Sequence, residues 1–468
     1  MGYEINKQGR SVSLPAPRRN LLLITIALGV LLNPLNSSMI AVALTRLRQT
    51  FDLDFAAASW LISTYYLASA IAQPVMGKLA DLIGCKRVFL TGLVLVAVSA
   101  TLAPFAPTYE WLIAFRLIQS FGSGAIYPSG MGIVRQVISE RRSQALAFLS
   151  VFSSGAAAFG PSIGGVLVHY GDWPAIFWVN FPFVIVGFVM ALAVLPKDEP
   201  RMLPTSPLDW LKALDLPGVF LFAGTIVTGL IFLLSAIDHP RWTIGIWSIV
   251  IGTVFVVFEL RTASPFLDIR MFRSNLPLTG VLLQFVTVNI IFYALFFAMP
   301  TYLQEVRSLN AQETGLFMLL LAGFGVIVSP LAGRWVSKAG VRRPLILAGV
   351  SMTLGSALLW TFHGSSPLAW LVLSLAVFGI SSGLNNVGLQ SALFEVTPQE
   401  VIGIASGLFQ TSRYMGTILS SVLLGLFFGH HLDTGSLNRL GAVLFILSLL
   451  VIGMSWSFPR RSSVGGKA

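Results

Sequence analysis

Fourteen predominantly apolar runs divide the chain, near 21–44, 57–76, 88–105, 110–133, 145–168, 175–195, 214–236, 243–258, 276–300, 314–332, 344–362, 367–392, 402–428 and 437–458. At roughly 18 residues or more, such a run crosses a bilayer as a helix. Backbone polar groups in hydrocarbon must be satisfied within the segment, and runs this long and uniformly apolar exclude barrel strands. The chain therefore reads as an all-α membrane protein with fourteen spans, numbered here in that order. Composition agrees: 10% of residues are charged, against about 25% in ordinary soluble domains, which excludes a water-soluble enzyme.

An even number of spans returns both termini to one side, and loop charge decides which. With the termini in the cytoplasm, 23 of the 30 Lys and Arg fall on that face, among them Lys7, Arg10, Arg18, Arg19, Lys86, Arg87, Arg141, Arg142, Arg342, Arg343, Arg460 and Arg461. The opposite face keeps five: Arg46, Arg48, Arg241, Arg307 and Arg439. The positive-inside rule thus predicts a multi-pass protein of the cytoplasmic membrane with both termini inside. The net charge of +11 follows from this topology and not from a nucleic-acid surface, so the expected large partner is lipid. A cleavable signal peptide at span 1 is the rival reading, but the run exceeds the usual core of about 7–15 residues, and removing it would undo the charge asymmetry. Cys85, the single cysteine, cannot form an intramolecular disulfide, and an adjacent pair such as His430-His431 cannot close a metal site alone. No metal and no cofactor are expected.

The loop between spans 2 and 3 runs from Gly77 to Arg87, and that between spans 10 and 11 from Gly333 to Arg343. Glycines match at the first and eighth places (Gly77 and Gly84, Gly333 and Gly340), and basic residues match at the second, tenth and eleventh. Glycine permits the tight reversal, while the cations sit at anionic headgroups. The two copies lie 256 residues apart, or eight spans. This divides the chain into an arm (1–19), a six-helix bundle (20–196), a linker with two inserted helices (197–274), a second six-helix bundle (275–458) and a tail (459–468). Parallel repeats of six spans enclosing a substrate site typify one class of secondary transporter.

With these motifs the sequence resembles the major facilitator superfamily, and within it the fourteen-span drug:proton antiporter branch. Gly77 to Arg87 is similar to the family's cytoplasmic loop signature, whose acidic residue, here Asp81, is implied to lock the cytoplasmic side; the second copy carries Ser337 there. Arg116 to Gln119 in span 4 resembles an Arg-x-x-Gln motif, followed by Ser120 where glycine is usual. Gly155 to Gly165 in span 5, with Gly160, Pro161 and Gly164, resembles the motif associated with exporters; its small residues allow close helix approach and Pro161 removes a backbone donor. Trp173, Phe177, Asn180 and Pro182 resemble the Trp-rich start of span 6 in that branch, as does the stretch from Pro265 to Phe272 before span 9. The resemblance implies alternating access, a small-molecule substrate, protons as the coupling ion and a monomer.

A transport route needs polar side chains converging at mid-membrane, at helical spacing along each span. The candidates are Asn33 and Asn36 (span 1), Tyr66 (span 2), Arg116, Gln119 and Tyr127 (span 4), Asn289 and Tyr293 (span 9), Asn386 and Gln390 (span 12) and Arg413 (span 13). Asn and Gln also join membrane helices without touching substrate. The two arginines are stronger candidates, since a cation at the bilayer centre costs at least about 2.5–3.5 kcal/mol. Carboxylates break the expected pattern. Relatives carry an Asp in span 1 where this chain has Asn36, which cannot titrate, and Asp81, Asp215, Asp238, Glu259, Glu305, Glu313, Glu395 and Glu400 all lie at or near span ends. Glu395, one turn beyond Gln390, is the nearest replacement, and it reads as a solvated helix end. A cavity holding Arg116 and Arg413 without an embedded acid favours neutral or anionic amphiphiles over hydrophobic cations. The inserted spans 7 and 8 read as peripheral. The expected function is export of amphipathic, drug-like molecules by proton antiport; a narrow metabolite exporter or uniporter is the alternative. A sensor or scaffold on a transporter-like fold would need a signalling domain, and an intramembrane enzyme a buried Ser/His or paired-carboxylate set.

Overall fold

A computed structural model describes residues 16–458 apart from 139–141, 199–205, 236–239, 263–264, 266, 268, 271–274, 364–365, 398–401 and 429–431. Most of the arm, the tail, Arg141, Asp238, Glu400, His430 and His431 lie outside the described residues. Those described form helices and no strands. Span 1 comprises α1 (Ala16–Val30) and α2 (Leu32–Phe51), and spans 2 to 5 are α3 (Phe55–Ile83), α4 (Cys85–Leu102), α5 (Tyr109–Val137) and α6 (Arg142–Gly171). Span 6 is α7 (Ala175–Trp178) with α8 (Asn180–Val194); a short α9 (Pro207–Leu214) precedes the inserted pair α10 (Leu216–Ser235) and α11 (Trp242–Arg261). Then follow α12 (Leu276–Glu305), α13 (Ala311–Ala339), α14 (Arg342–Trp360), α15 (Leu368–Val396), α16 (Ile402–Phe428) and α17 (Thr434–Trp456). Helices thus cover all fourteen runs, and ten helical stretches among the described residues are long and apolar enough to cross a membrane.

Local chemistry sets the helix ends. Asp54, Asn275 and Asp433 each accept a backbone N–H in the first turn of α3, α12 and α17, and Asn310 forms a reciprocal capping box with Glu313 at α13. At the junction of α1 and α2, the N–H of Leu31 donates to Ala27 O and that of Leu35 to Leu31 O, both at 3.0 Å, so span 1 is continuous across the break.

Packing repeats with the sequence. The pairings α3–α5, α4–α5, α1–α8 and α4–α8 recur eight spans later as α13–α15, α14–α15, α12–α17 and α14–α17. Between the two sets, α3 packs on α16 and α6 on α13, so the second and fifth spans of each set exchange partners, and α2 meets α12. The inserted pair packs mainly on itself and is the least buried of the ten stretches, while α10 touches both α3 and α16.

Of the matched glycines, the eighth-place pair has a physical reason, whereas Gly77 and Gly333 lie inside α3 and α13 with ordinary room for a Cβ and make no reversal. Gly84 ends α3 at φ +109° and Gly340 ends α13 at φ +74°, a region that side chains with a Cβ rarely enter. A methyl group on Gly84 would also overlap the carboxyl of Asp198. That carboxyl caps α4, accepting from Lys86 N and Arg87 N at 2.9 Å each, while Lys86 Nζ donates to Leu192 O and Leu195 O at the end of α8 (2.8 and 2.9 Å). The two helices thereby satisfy each other's unpaired termini. Gly84→Ala must therefore both strain the turn and expel the cap. It should cost about 2 kcal/mol or more and lower the thermal unfolding midpoint in detergent by several degrees, and an unchanged midpoint would contradict this account.

Candidate transport site between the two helix sets

The two sets meet most closely toward the end that carries Arg48 and Glu305. There Arg48 Nη1 pairs with Glu305 Oε1, and Gln304 Nε2 donates to Val42 O at 3.1 Å. Deeper in, the Ser63 and Ser421 hydroxyls lie 2.6 Å apart, and Ser162 Oγ donates to Gly315 O at 2.7 Å. Nearby, within the first set, Arg46 grips Asp172 through both carboxylate oxygens and holds that carboxyl below its usual range. Beneath these contacts lies an aromatic plug. Tyr66 of α3 sits 5.6 Å from Tyr293 of α12 and 6.0 Å from Tyr414 of α16, ring centre to centre, and Gln73 Nε2 donates to the Tyr414 hydroxyl. Midway along α6 and α13, a Cβ on Gly155 or on Gly323 would meet open space. The seam is held shut at the end that carries Arg48 and Glu305.

The glycines of span 5 make this seam possible. A Cβ on Gly160 would fall on Ser38 of α2, one on Gly164 would press on Met39, and one on Gly165 would overlap the carbonyl of Ala311 in α13. One helix is thus pressed against its own set on one face and the other set on the next, and only small residues permit both.

The expected pathway residues separate into two groups. Asn33, Asn36, Arg116 and Gln119 lie in closed packing inside the first set. Asn36 and Asn180 exchange hydrogen bonds, Nδ2 to Oδ1 at 2.6 Å and back at 2.8 Å; Gln119 Nε2 donates to Asn36 Oδ1 at 3.1 Å and Arg116 Nη1 to Gln119 Oε1 at 2.9 Å. Arg116 is 1% exposed, its guanidinium lies 4.2 Å from the centre of the Tyr65 ring, and its Nε and Nη2 have no hydrogen-bond partner among the described residues. Asn33 binds Ser123 and Ser69, joining α2, α3 and α5. Asn289 is also buried; it donates to Phe285 O of its own helix and packs against Gly416.

Tyr127, Arg413, Asn386 and Gln390 form the second group, more open than the first. Arg413 is half-buried, with its guanidinium 5.6 Å from the centre of the Phe285 ring, which stacks on Phe409. Among the described residues its guanidinium has no ion pair and no hydrogen bond. Tyr127 of α5 is half-buried, and Arg413 is the charged group that acts on it from across the seam. Asn386 and Gln390 are exposed, and the 13 residues from Leu373 to Asn386, at about 3.6 per turn, put Asn386 roughly opposite the exposed Trp370 and Leu373. The stretches read as loops are mostly helical: Asp81 is exposed in the last turn of α3, Arg87 in the first turn of α4 and Ser337 in the last turn of α13, and Glu395 is exposed as a solvated helix end.

Residues 26–421 match the Major Facilitator Superfamily. The chain belongs to that superfamily. A transporter of the superfamily from Bacillus subtilis, the uncharacterized YwoD, is 46% identical over 442 residues, which are 94% of this chain and 95% of that one. The tetracenomycin C resistance and export protein of Streptomyces glaucescens is 28% identical, the alignment covering 86% of this chain and 74% of that one. In fold the chain is similar to a mutant of the peptide transporter POT crystallised with sulfate, at TM-score 0.70 and 17% identity over 92% of this chain and 94% of that one. The major facilitator fold and membership of a family of multi-pass transporters are therefore established.

Two buried acids of this family member escaped the sequence reading. Asp215 and Glu259 lie at the ends of α10 and α11, and both are almost fully buried, at 2% and 1% exposure. Their positions at or near span ends gave no sign of burial; the sequence hint is their pairing across one hairpin with a lysine in the repeated loop.

Proposed function

We propose that this protein exports neutral or anionic amphipathic molecules across the inner membrane, as a fourteen-span monomer with both termini in the cytoplasm, by rocking the bundles 20–196 and 275–458 about their seam. The single observation that carries this reading is Arg413: a half-buried cation, without an acid partner among the described residues, beside stacked aromatic rings and facing Tyr127. Desolvating a cation without a counter-ion is costly, and an anionic or electron-rich aromatic ligand relieves that cost. The closed seam at Arg48 and Glu305 fits a state shut at that end. The Streptomyces relative, a tetracenomycin C resistance and export protein, supports the direction. Protons are the proposed counter-ion, in keeping with the drug:proton antiporter resemblance, although Asn36 leaves span 1 without a titrating group.

Proteoliposomes test the reading. An inward proton gradient should drive transport of a fluorescein-like anion well above ethidium, and Arg413→Gln should cut anion transport by about tenfold, corresponding to one lost charge-assisted contact of roughly 1.4 kcal/mol. Ethidium transported faster than the anion, or an Arg413→Gln variant with unchanged anion transport, would overturn it.

A further inference from the structure

Asp215 and Glu259 meet in a pocket with a missing donor. Glu259 Oε2 accepts from Leu267 N at 3.1 Å, while its Oε1 has no hydrogen-bond partner among the described residues. That oxygen points at the Asp215 carboxyl: a methyl group on Gly218 would overlap both Glu259 Oε1 and Asp215 Oδ2, so the two oxygens converge on one point. Asp215 Oδ1 is already turned to Gly218 N at 3.3 Å, and its backbone is held at φ +52°. Ionised carboxylates only accept, so neither can satisfy the other, and two buried negative charges this close cannot both persist. The charged neighbour of both is the half-buried Lys78 of α3, the basic residue at the second place of the repeated loop. Two other charges on the adjoining elements are engaged elsewhere, Arg270 Nη2 donating to Leu260 O and Asp209 accepting from Ser206 N, and Arg261 at the end of α11 is exposed.

We propose that Asp215 and Glu259 share one titratable proton, and that Lys78 makes its affinity depend on the conformation of the transporter. The proton is the donor that the orphaned oxygen lacks. The site stands where both helix sets can act on it, because α10 touches α3 and α16, the two helices that form one arm of the seam. Rocking that moves α3 relative to α10 changes the separation of Lys78 from the acids, and by reciprocity protonation of the acids shifts the rocking equilibrium. The inserted pair is then a proton-responsive element rather than a passive attachment. This deepens the proton-coupled reading and rests on it for function, but the proton itself is observable without transport.

The test is an infrared titration of the full-length protein in nanodiscs, following the carbonyl stretch of protonated carboxyls. The natural chain should lose one such band between about pH 5 and pH 9. Glu259→Gln and Asp215→Asn should each lack the band, and Lys78→Gln should move its loss upward by about one pH unit or more, since removing the cation favours the protonated form. A spin-label distance between α3 and α10 should change with pH in the natural chain and stay constant in Glu259→Gln. No titrating band in the natural chain overturns the proposal even if no variant folds, as does a band that survives both amide substitutions; a band with a pH-independent distance overturns the coupling. If the band behaves as stated but no substrate is transported, the export reading fails and the proton site stands; transport without the band gives the reverse.

Discussion

Gly165→Val should abolish transport by preventing the Arg48–Glu305 end from shutting. The added Cβ would fall on the Ala311 carbonyl and lie 3.2 Å from Gly315 Cα, both backbone, so no side-chain rotation relieves the overlap and α6 must back away from α13. That separation breaks the Ser162–Gly315 hydrogen bond and loosens the seam. Overpacking of this kind costs about 1–3 kcal/mol, and charged wholly to the closed arrangement it shifts the equilibrium by roughly ten- to a hundredfold. Spin labels at the Arg48 end of the two helix sets should report a wider distance than in the natural chain, with substrate exchange falling in parallel. The same distance and the same exchange rate would mean that this packing plays no part in the cycle. Gly160→Ala should be milder, because it meets the Ser38 side chain, whose hydroxyl can exchange its bond to Pro34 O for another rotamer.

Asn36→Asp should install proton coupling in span 1. Asn36 Oδ1 accepts from Gln119 and Asn180, and its Nδ2 donates to Asn180 Oδ1 and to Leu32 O at 2.8 Å. An ionised carboxylate in place of this amide would keep both acceptances and lie beside Arg116, whose Nη1 is 3.4 Å from Asn36 O and whose other two nitrogens have no hydrogen-bond partner among the described residues. A protonated carboxyl there could still donate to Asn180 Oδ1. The ionised form gains Arg116, the protonated form keeps a donor toward Asn180 Oδ1 and Leu32 O, which the ionised form would repel, and this competition is what a titrating site requires. Substrate-driven pH change in liposomes should rise by about tenfold or more, the result of roughly 1.4 kcal/mol of difference between the two protonation states. An unchanged proton flux would place coupling away from this network.

Much of the architecture was legible because lipid imposes a strict rule: the apolar runs had to be helices. The eighth-place glycines were legible for the same kind of reason, since a reversal within a few residues calls for a backbone angle that glycine reaches most easily. The site was less so. Arg116 and Arg413 look alike in sequence, each a lone cation in an apolar span, and which one is sealed depends on helix rotation. Span 4 buries residues around much of its circumference, so periodicity does not fix that rotation. Tyr65 and Tyr66 show the same difficulty: adjacent residues, one stacked on Arg116 inside the first set and the other in the plug between the sets. Glu259 stood two residues from a helix end, with nothing local to mark it as buried; its burial comes from Leu267, which returns to bond it, and from the approach of Asp215 across the hairpin. Neither contact leaves a local pattern.

The reciprocal tie between α4 and α8 bears on how force moves through the molecule. With Asp198 fastened to one helix start and Lys86 to the neighbouring helix end, these two rods form a truss at the membrane face. A push delivered through the adjoining reversal at Gly84 should then move the two together rather than slide one past the other. Cutting Asp198 would turn a stiff lever into a compliant one, with substrate still bound but the stroke shortened.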